Sequence, residues 1–166
     1  MIDRAIISAH WLNDTGPMTQ QIPRNDSRLA AWSTFLRAHA RVVRELEREL
    51  QADQDLALTD YDVLVQLAAA GERRMRMSVL ADRLLLSRSG VTRLVDRLVA
   101  EGLVERVSCE SDRRGQWAAL TDAGYARLRR AAPTHVRGVA THFLDRLSPD
   151  DLASLERMLA GLVDEG

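Results

Sequence analysis

Between residues 87 and 106 the chain reads SRSGVTRLVDRLVAEGLVER, and its side chains fall into two chemical sets. Val91, Leu94, Val95, Leu98 and Val99 follow the 3-4 spacing of a helix that buries one stripe. The opposite face carries Ser89, Thr92, Arg93, Asp96 and Arg97, with Ser87 and Arg88 just ahead of it. Solubility needs only scattered charges. Hydroxyls and guanidinium forks gathered on one face suit the recognition of anionic oxygens and hydrogen-bonding edges.

The neighbouring elements must position that face. Ser87 predicts an N-cap for the helix and Gly102 its end. Ahead of it, Ser78 predicts the cap of a short helix over residues 79–85, and the turn LLS between the two lacks the common glycine. Downstream, residues 103–108 and 116–121 read as strands of a β-hairpin around the polar loop CESDRRG. Two helices followed by a hairpin with arginines at its tip form a winged helix-turn-helix. The expected fold is mainly α with a small β-hairpin wing.

Such an arrangement predicts binding to double-stranded DNA. A recognition helix presents its N-terminal turn and one face to the major groove. Ser87, Ser89 and Thr92 can reach phosphates or base edges, and Arg88 and Arg93 can bind phosphate or a guanine bidentately. Arg113 and Arg114 at the hairpin tip can enter the electronegative minor groove. Arg73, Arg74 and Arg76 read either as phosphate contacts or as a solvated turn. Asp96 is expected to pair within the protein, and Arg97 is open between an internal pair and a phosphate. A winged helix built to dock another protein would carry apolar residues where Ser89, Thr92 and Arg93 stand.

The rest of the chain is helical in pattern. Leu29, Trp32, Leu36, His39, Val43, Leu46 and Leu50 form a narrow 3-4 seam on a long helix over 27–54, to be buried within the monomer or against a second chain. Thr59 with Asp62 resembles a loose capping box, opening a helix to about residue 70, and GERRMR follows as an arginine-rich turn. Thr121 and Asp122 start a long helix over 122–147, with Pro133 as a kink or break. Ser148, Pro149, Asp150 and Asp151 start a last helix running to about Val163. Residues 1–26 read as an arm: Ile2, Ile6, Ile7 and Trp11 suit a short helix, followed by a loop broken by Gly16, Pro17 and Pro23.

Composition agrees with this reading. The 166 residues are 46% hydrophobic but only 4% aromatic, so Leu, Val, Ala and Met must build the core. Net charge is −1, yet residues 71–115 hold ten Arg against seven acids, a local +3. All 23 basic residues are arginine. The sequence shows no secretion signal and no run of the roughly 18 apolar residues that span a bilayer, so a cytoplasmic protein without membrane partners is expected.

The residues VTRLVDRLVAEGLVER, followed by DRRGQWAALTDAG, resemble the MarR family of bacterial transcription regulators. The wing motif of that family, an Asp, a variable residue and an Arg with Leu-Thr downstream, falls on Asp112, Arg114, Leu120 and Thr121. The resemblance covers about residues 27–163. It implies a homodimer in which residues 27–54 and 122–166 form dimerisation helices around a DNA-binding lobe at 55–121. It also implies that Arg114 enters the minor groove while Asp112 holds the wing arginines. Two identical reading heads imply a pseudo-palindromic operator with half-sites about 10 base pairs apart. A ligand-responsive repressor is expected, with an effector of unknown identity; Trp32, His39 and Tyr61 are pocket candidates or simply packing residues.

Other chemistry lacks its parts. There is no Gly-rich phosphate loop, HExxH or nucleophile elbow, so no enzyme is expected. The single cysteine, Cys109, excludes an intrachain disulfide, and a redox role would need exposure and a lowered pKa. His135 and His142 share a helix face with His39 as a further candidate. The first two lie about 10 Å apart along the axis, wide for ligands of one ion, so no metal and no cofactor are expected.

Overall fold

The computed structural model describes the backbone of residues 27–109 and 112–163, and their side chains except at 27–28, 108–109 and 112–115. The expected arm at 1–26 lies outside the described residues. Two compact units divide the chain, residues 1–38 and 39–166, with the boundary inside the first helix. That helix, α1, spans Ser27–Gln54. In the first unit Leu29, Trp32 and Phe35 are exposed, and the rings of Trp32 and Phe35 stack at 6.0 Å.

In the second unit, Leu46 and Leu50 of α1 enter the core. There α1 meets α5, which spans Asp122–His142. The approach is close at Gly138: a Cβ would stand 2.7 Å from Leu46 Cδ2 and 2.8 Å from Glu49 Oε2. Arg137 pairs with Asp53 at 2.8 Å, and His142 Nε2 with Glu49 Oε1 at 2.7 Å. The helix runs through Pro133 without the expected break and stops at His142, before the expected 147. A 3-10 turn, Leu144–Arg146, then leads to α6, Pro149–Val163. Ser148 Oγ accepts from Asp151 N at 3.1 Å, the cap that the sequence predicted.

Helix α2 spans Leu58–Ala68 and begins one residue before Thr59. The predicted capping box does not form. Its N-cap is Ala57, and Glu47 of α1 reaches over to accept from Leu58 N at 2.8 Å. A carboxylate eleven residues upstream thus satisfies an orphan donor that a local serine or threonine usually takes.

After a 3-10 turn at Gly71–Arg73, the arginine-rich segment becomes a strand, β1, Arg74–Arg76, where the sequence suggested only a turn. Its signal is one buried residue, Met75, between two arginines, too short a period-2 pattern to stand out. β1 runs straight into α3, Met77–Arg83, which therefore starts at Met77 and not at 79, and Ser78 does not cap it. The turn after α3 closes with Leu85 N donating to Asp82 O at 3.2 Å and Leu86 N to Ala81 O at 3.0 Å. Leu85 takes φ 52°, a left-handed conformation that costs a side-chain-bearing residue about 1 kcal/mol.

The next helix, α4, spans Arg88–Ala100, and Ser87 Oγ accepts from Gly90 N at 3.0 Å as its predicted cap. Val91, Leu94, Val95 and Leu98 are buried against Leu64, Leu67 and Leu80 of the core. Strands β2, Val104–Cys109, and β3, Asp112–Leu120, pair antiparallel, and β1 adds to the far edge of β3 in the order β1-β3-β2. The hairpin is therefore part of a three-stranded sheet. Its ladder reaches Cys109 opposite Asp112 after an irregularity between Val107 and Cys109, so strand pairing enters the segment read as a loop.

Thr121 joins the sheet to α5: its Oγ1 accepts from Gly124 N at 2.9 Å and donates to Gly102 O at 2.8 Å. Gly124 is obligatory, because a Cβ there would stand 2.0 Å from Leu103 O. Among the described residues no helix is long and apolar enough to cross a membrane.

Candidate nucleic-acid interface

Because the apolar stripe of α4 is turned into the core, its polar face must be turned outward. Ser87, Arg88, Ser89 and Arg93 are exposed and Thr92 is half-buried. Arg88 and Arg93 make no hydrogen bond or ion pair with any described residue, so both guanidiniums stand available at the first two turns. The hydroxyls are partly engaged. Ser87 Oγ caps the helix and lies 3.2 Å from Ser89 Oγ, while Thr92 Oγ1 donates to Arg88 O at 2.8 Å. Each keeps lone pairs; the cap at Ser87 was read from the sequence, whereas the local bonds of Ser89 and Thr92 were not.

Farther along, the exposed face is tied to the rest of the lobe. Asp96 pairs internally, as expected: Arg106 of β2 donates to its Oδ1 through Nε at 3.1 Å and Nη2 at 2.7 Å. Arg106 also donates to Gln116 Oε1 at 3.2 Å, so one guanidinium links β2 and β3 to α4. Sequence reasoning missed it, because strand alternation alone does not say which exposed arginine finds a carboxylate on a neighbouring helix. Arg97 donates to Asp60 Oδ1 at 2.5 Å. Asp60 is only 6% exposed, so this contact gives a buried carboxylate its counter-charge.

The three arginines before α3 also have partners within the chain. Arg73 lies 4.0 Å over the Tyr125 ring and 3.3 Å from Asp122 Oδ1. Arg74 pairs with Glu72 and sits 5.9 Å from the Trp117 ring centroid; Arg76 sits 5.5 Å from the same centroid. They form a cationic edge around Trp117 and Tyr125. At the wing, the backbone of β2 and β3 is in place, while the side chains of Cys109, Asp112, Arg113 and Arg114 lie outside the described residues.

The remaining candidates are dispersed. Tyr61 is buried and stacks on His135 at 4.5 Å between centroids, whereas Trp32 and His39 are exposed. Burial pushes the Tyr61 hydroxyl up and the His135 imidazole down in pKa, so the stacked pair is neutral near pH 7. His142 faces Glu49, and among the described residues no three His, Cys, Asp or Glu side chains cluster as a metal set. Beside Tyr61, burial and then the nearby Glu47 push the Asp62 carboxyl up to about 6.

Comparison with known proteins places this geometry. The MarR family model matches residues 54–115, from the end of α1 to the wing. An uncharacterised HTH-type transcriptional regulator of Bacillus subtilis, YkoM, is 33% identical over 93 residues, covering 56% of this chain and 58% of that one. Among solved structures, AbsC of Streptomyces coelicolor, a MarR family transcriptional regulator, superposes with a TM-score of 0.79 at 38% identity. That match covers 88% of this chain and 97% of AbsC. Sco3205 of the same organism, solved in complex with DNA, gives a TM-score of 0.77 at 38% identity over 83% of this chain and 87% of that one. The chain belongs to the MarR family of winged helix-turn-helix transcriptional regulators.

Proposed function

We propose that this protein is a ligand-responsive repressor that binds a pseudo-palindromic operator as a homodimer. The observation that carries the reading is the N-terminal face of α4, where Arg88 and Arg93 are exposed beside Ser87 and Ser89 with no described partner to hold them. Guanidiniums so placed suit guanine edges and phosphates of the major groove. The DNA complex of Sco3205 supports the same use of the shared fold. Arg113 and Arg114 extend the contact into the minor groove, with Asp112 holding them. Arg73, Arg74 and Arg76 add phosphate contacts at the flank, and Arg97 does so only beyond its pairing with Asp60.

Dimerisation is supported by apolar side chains left on the surface of the helical region. Val136, Leu144, Met158, Leu162 and Val163 are exposed, as are Leu29, Trp32 and Phe35 of the first unit. An effector acts by preferring one spacing of the two reading heads; equal affinity for both spacings shifts nothing. If Tyr61 lines its site, the effector must displace the stack on His135. The repressor works without cofactor or metal, in the cytoplasm where its operator is.

Selection of duplexes from random DNA tests the reading directly. A symmetric consensus with half-centres about 10 base pairs apart is expected. Arg114→Ala should weaken binding to that duplex by about 1–3 kcal/mol in an anisotropy titration. Affinity should also fall steeply with salt as phosphate-bound counterions are released. A flat salt dependence, or a consensus without symmetry, contradicts the proposal.

A further inference from the structure

Among the described residues, four other than glycine have a positive φ: Asp55 at 48°, Glu72 and Arg73 at 53°, and Leu85 at 52°. Three of these side chains meet partners in the same chain. Asp55 Oδ1 accepts from Gln51 Nε2 at 2.6 Å, Glu72 pairs with Arg74, and Arg73 lies over Tyr125 beside Asp122. Leu85 has no such use. It is 92% exposed, the most exposed of the described large apolar residues.

The backbone does not require leucine there. The paired bonds from Leu85 N and Leu86 N to the end of α3 make a Schellman closure, whose left-handed position glycine fills without strain. Leucine adds strain and an unshielded isobutyl group, and at 92% exposure the fold gains almost no burial in return. Strain kept at an exposed position is a feature of binding surfaces. The location agrees: Leu85 lies two residues before the Ser87 cap, in the turn beside the end of α4 that carries Arg88 and Ser89. Among base edges in the major groove, the one apolar group is the C5-methyl of thymine.

We propose that Leu85 is a specificity-determining residue, packing its side chain against a thymine methyl at one position of each half-site. This rests on the operator-binding reading above and adds an apolar readout to the polar one supplied by Arg88 and Arg93.

The test uses the full chain and the duplex it selects from random DNA. Each thymine is replaced singly by deoxyuridine, which removes one methyl and leaves the pairing edge intact. Wild type is expected to lose about 3- to 10-fold in affinity at one thymine per half-site, the scale of burying one methyl. Leu85→Gly should bind the unmodified duplex weaker by a similar factor, ignore that replacement, and melt no lower than wild type. Equal affinity of Leu85→Gly and wild type overturns the proposal. So does weaker binding with no thymine whose methyl matters, which places the leucine against sugar. A lower melting temperature also overturns it, because the leucine is then covered by protein. If wild type selects no consensus at all, the operator-binding reading itself fails.

Discussion

Two amphipathic helices of this chain have opposite fates. In α4, Val91, Leu94, Val95 and Leu98 are buried within one chain. In α6 no residue is buried, and Met158, Leu162 and Val163 are 65%, 78% and 77% exposed. An amphipathic pattern promises a buried stripe but does not name the surface that buries it. The core that receives α4 is completed within the chain, with Leu46 and Leu50 of α1 and Leu128 and Ala131 of α5 joining it. The C-terminal helix offers an apolar face that a second copy would cover in the homodimer proposed above, and monomeric proteins seldom leave such a face open.

Substitutions can sharpen that contrast, and the largest effect belongs to the finished core. Leu98→Ala should cost about 2–5 kcal/mol in urea unfolding, through lost burial and a cavity at a fully shielded site. An effect below about 1 kcal/mol would show that the lobe is looser than its burial implies. The matching change on the other helix, Leu162→Glu, should leave the unfolding of the isolated chain nearly unchanged. It should raise the dimer dissociation constant by about 30-fold or more, roughly 2 kcal/mol, in sedimentation equilibrium. If Leu162→Glu unfolds the chain as Leu98→Ala does, α6 is an ordinary core helix and the contrast fails.

How far the sequence foretold this contrast depends on the reach of each interaction. The caps at Ser87, Thr121 and Ser148 were legible because a hydroxyl bonds a backbone N–H three residues away. The 3-4 spacing of Val91, Leu94, Val95 and Leu98 likewise fixed α4 and its inward face. The cap of α2 was illegible because Glu47 comes from another helix, and the Thr59–Asp62 pattern suggested a local solution that the fold does not use. β1 escaped notice because its partner strand lies some forty residues downstream. At the candidate interface, Arg88 and Arg93 stand out on the exposed face as read, while Arg97 and Arg106 are claimed by Asp60 and Asp96. Residue type marked Arg88, Arg93 and Arg97 but not Arg106; only tertiary placement separates the engaged pair from the available one.

Smaller perturbations test that separation. Arg97→Ala strips the nearly buried Asp60 of its counter-charge and should cost about 2 kcal/mol of stability, with Arg97→Ala/Asp60→Asn recovering part of it. Arg93→Ala should leave the melting temperature within a degree or two, because it has no described partner to lose. Equal destabilisation by both would erase the distinction between the two arginines.

The smallest effect is set by pH. Asp62 has its pKa raised from 3.8 to about 6, so between those values the folded chain holds a proton that the unfolded chain has released. Stability from this group therefore falls as pH rises through that window and stays lowered above it. Asp62→Asn should gain about 1 kcal/mol at pH 7.5 and nothing near pH 4, read from unfolding at each pH. His135 slopes the other way. Burial lowers its pKa below 6.5, so its contribution is present above that pH and is lost as pH falls. A stabilisation by Asp62→Asn that is the same at both pH values would assign the effect to packing.

Gly124 brings the α5 backbone so near Leu103 that not even a methyl group fits between them, and Thr121 bonds across the same joint. The seam where the long helix meets the root of the wing is thus a rigid weld with no slack to absorb a displacement. A tilt of α5 bears directly on Leu103, the residue that leads into β2, so the angle of that helix is coupled to the root of the hairpin.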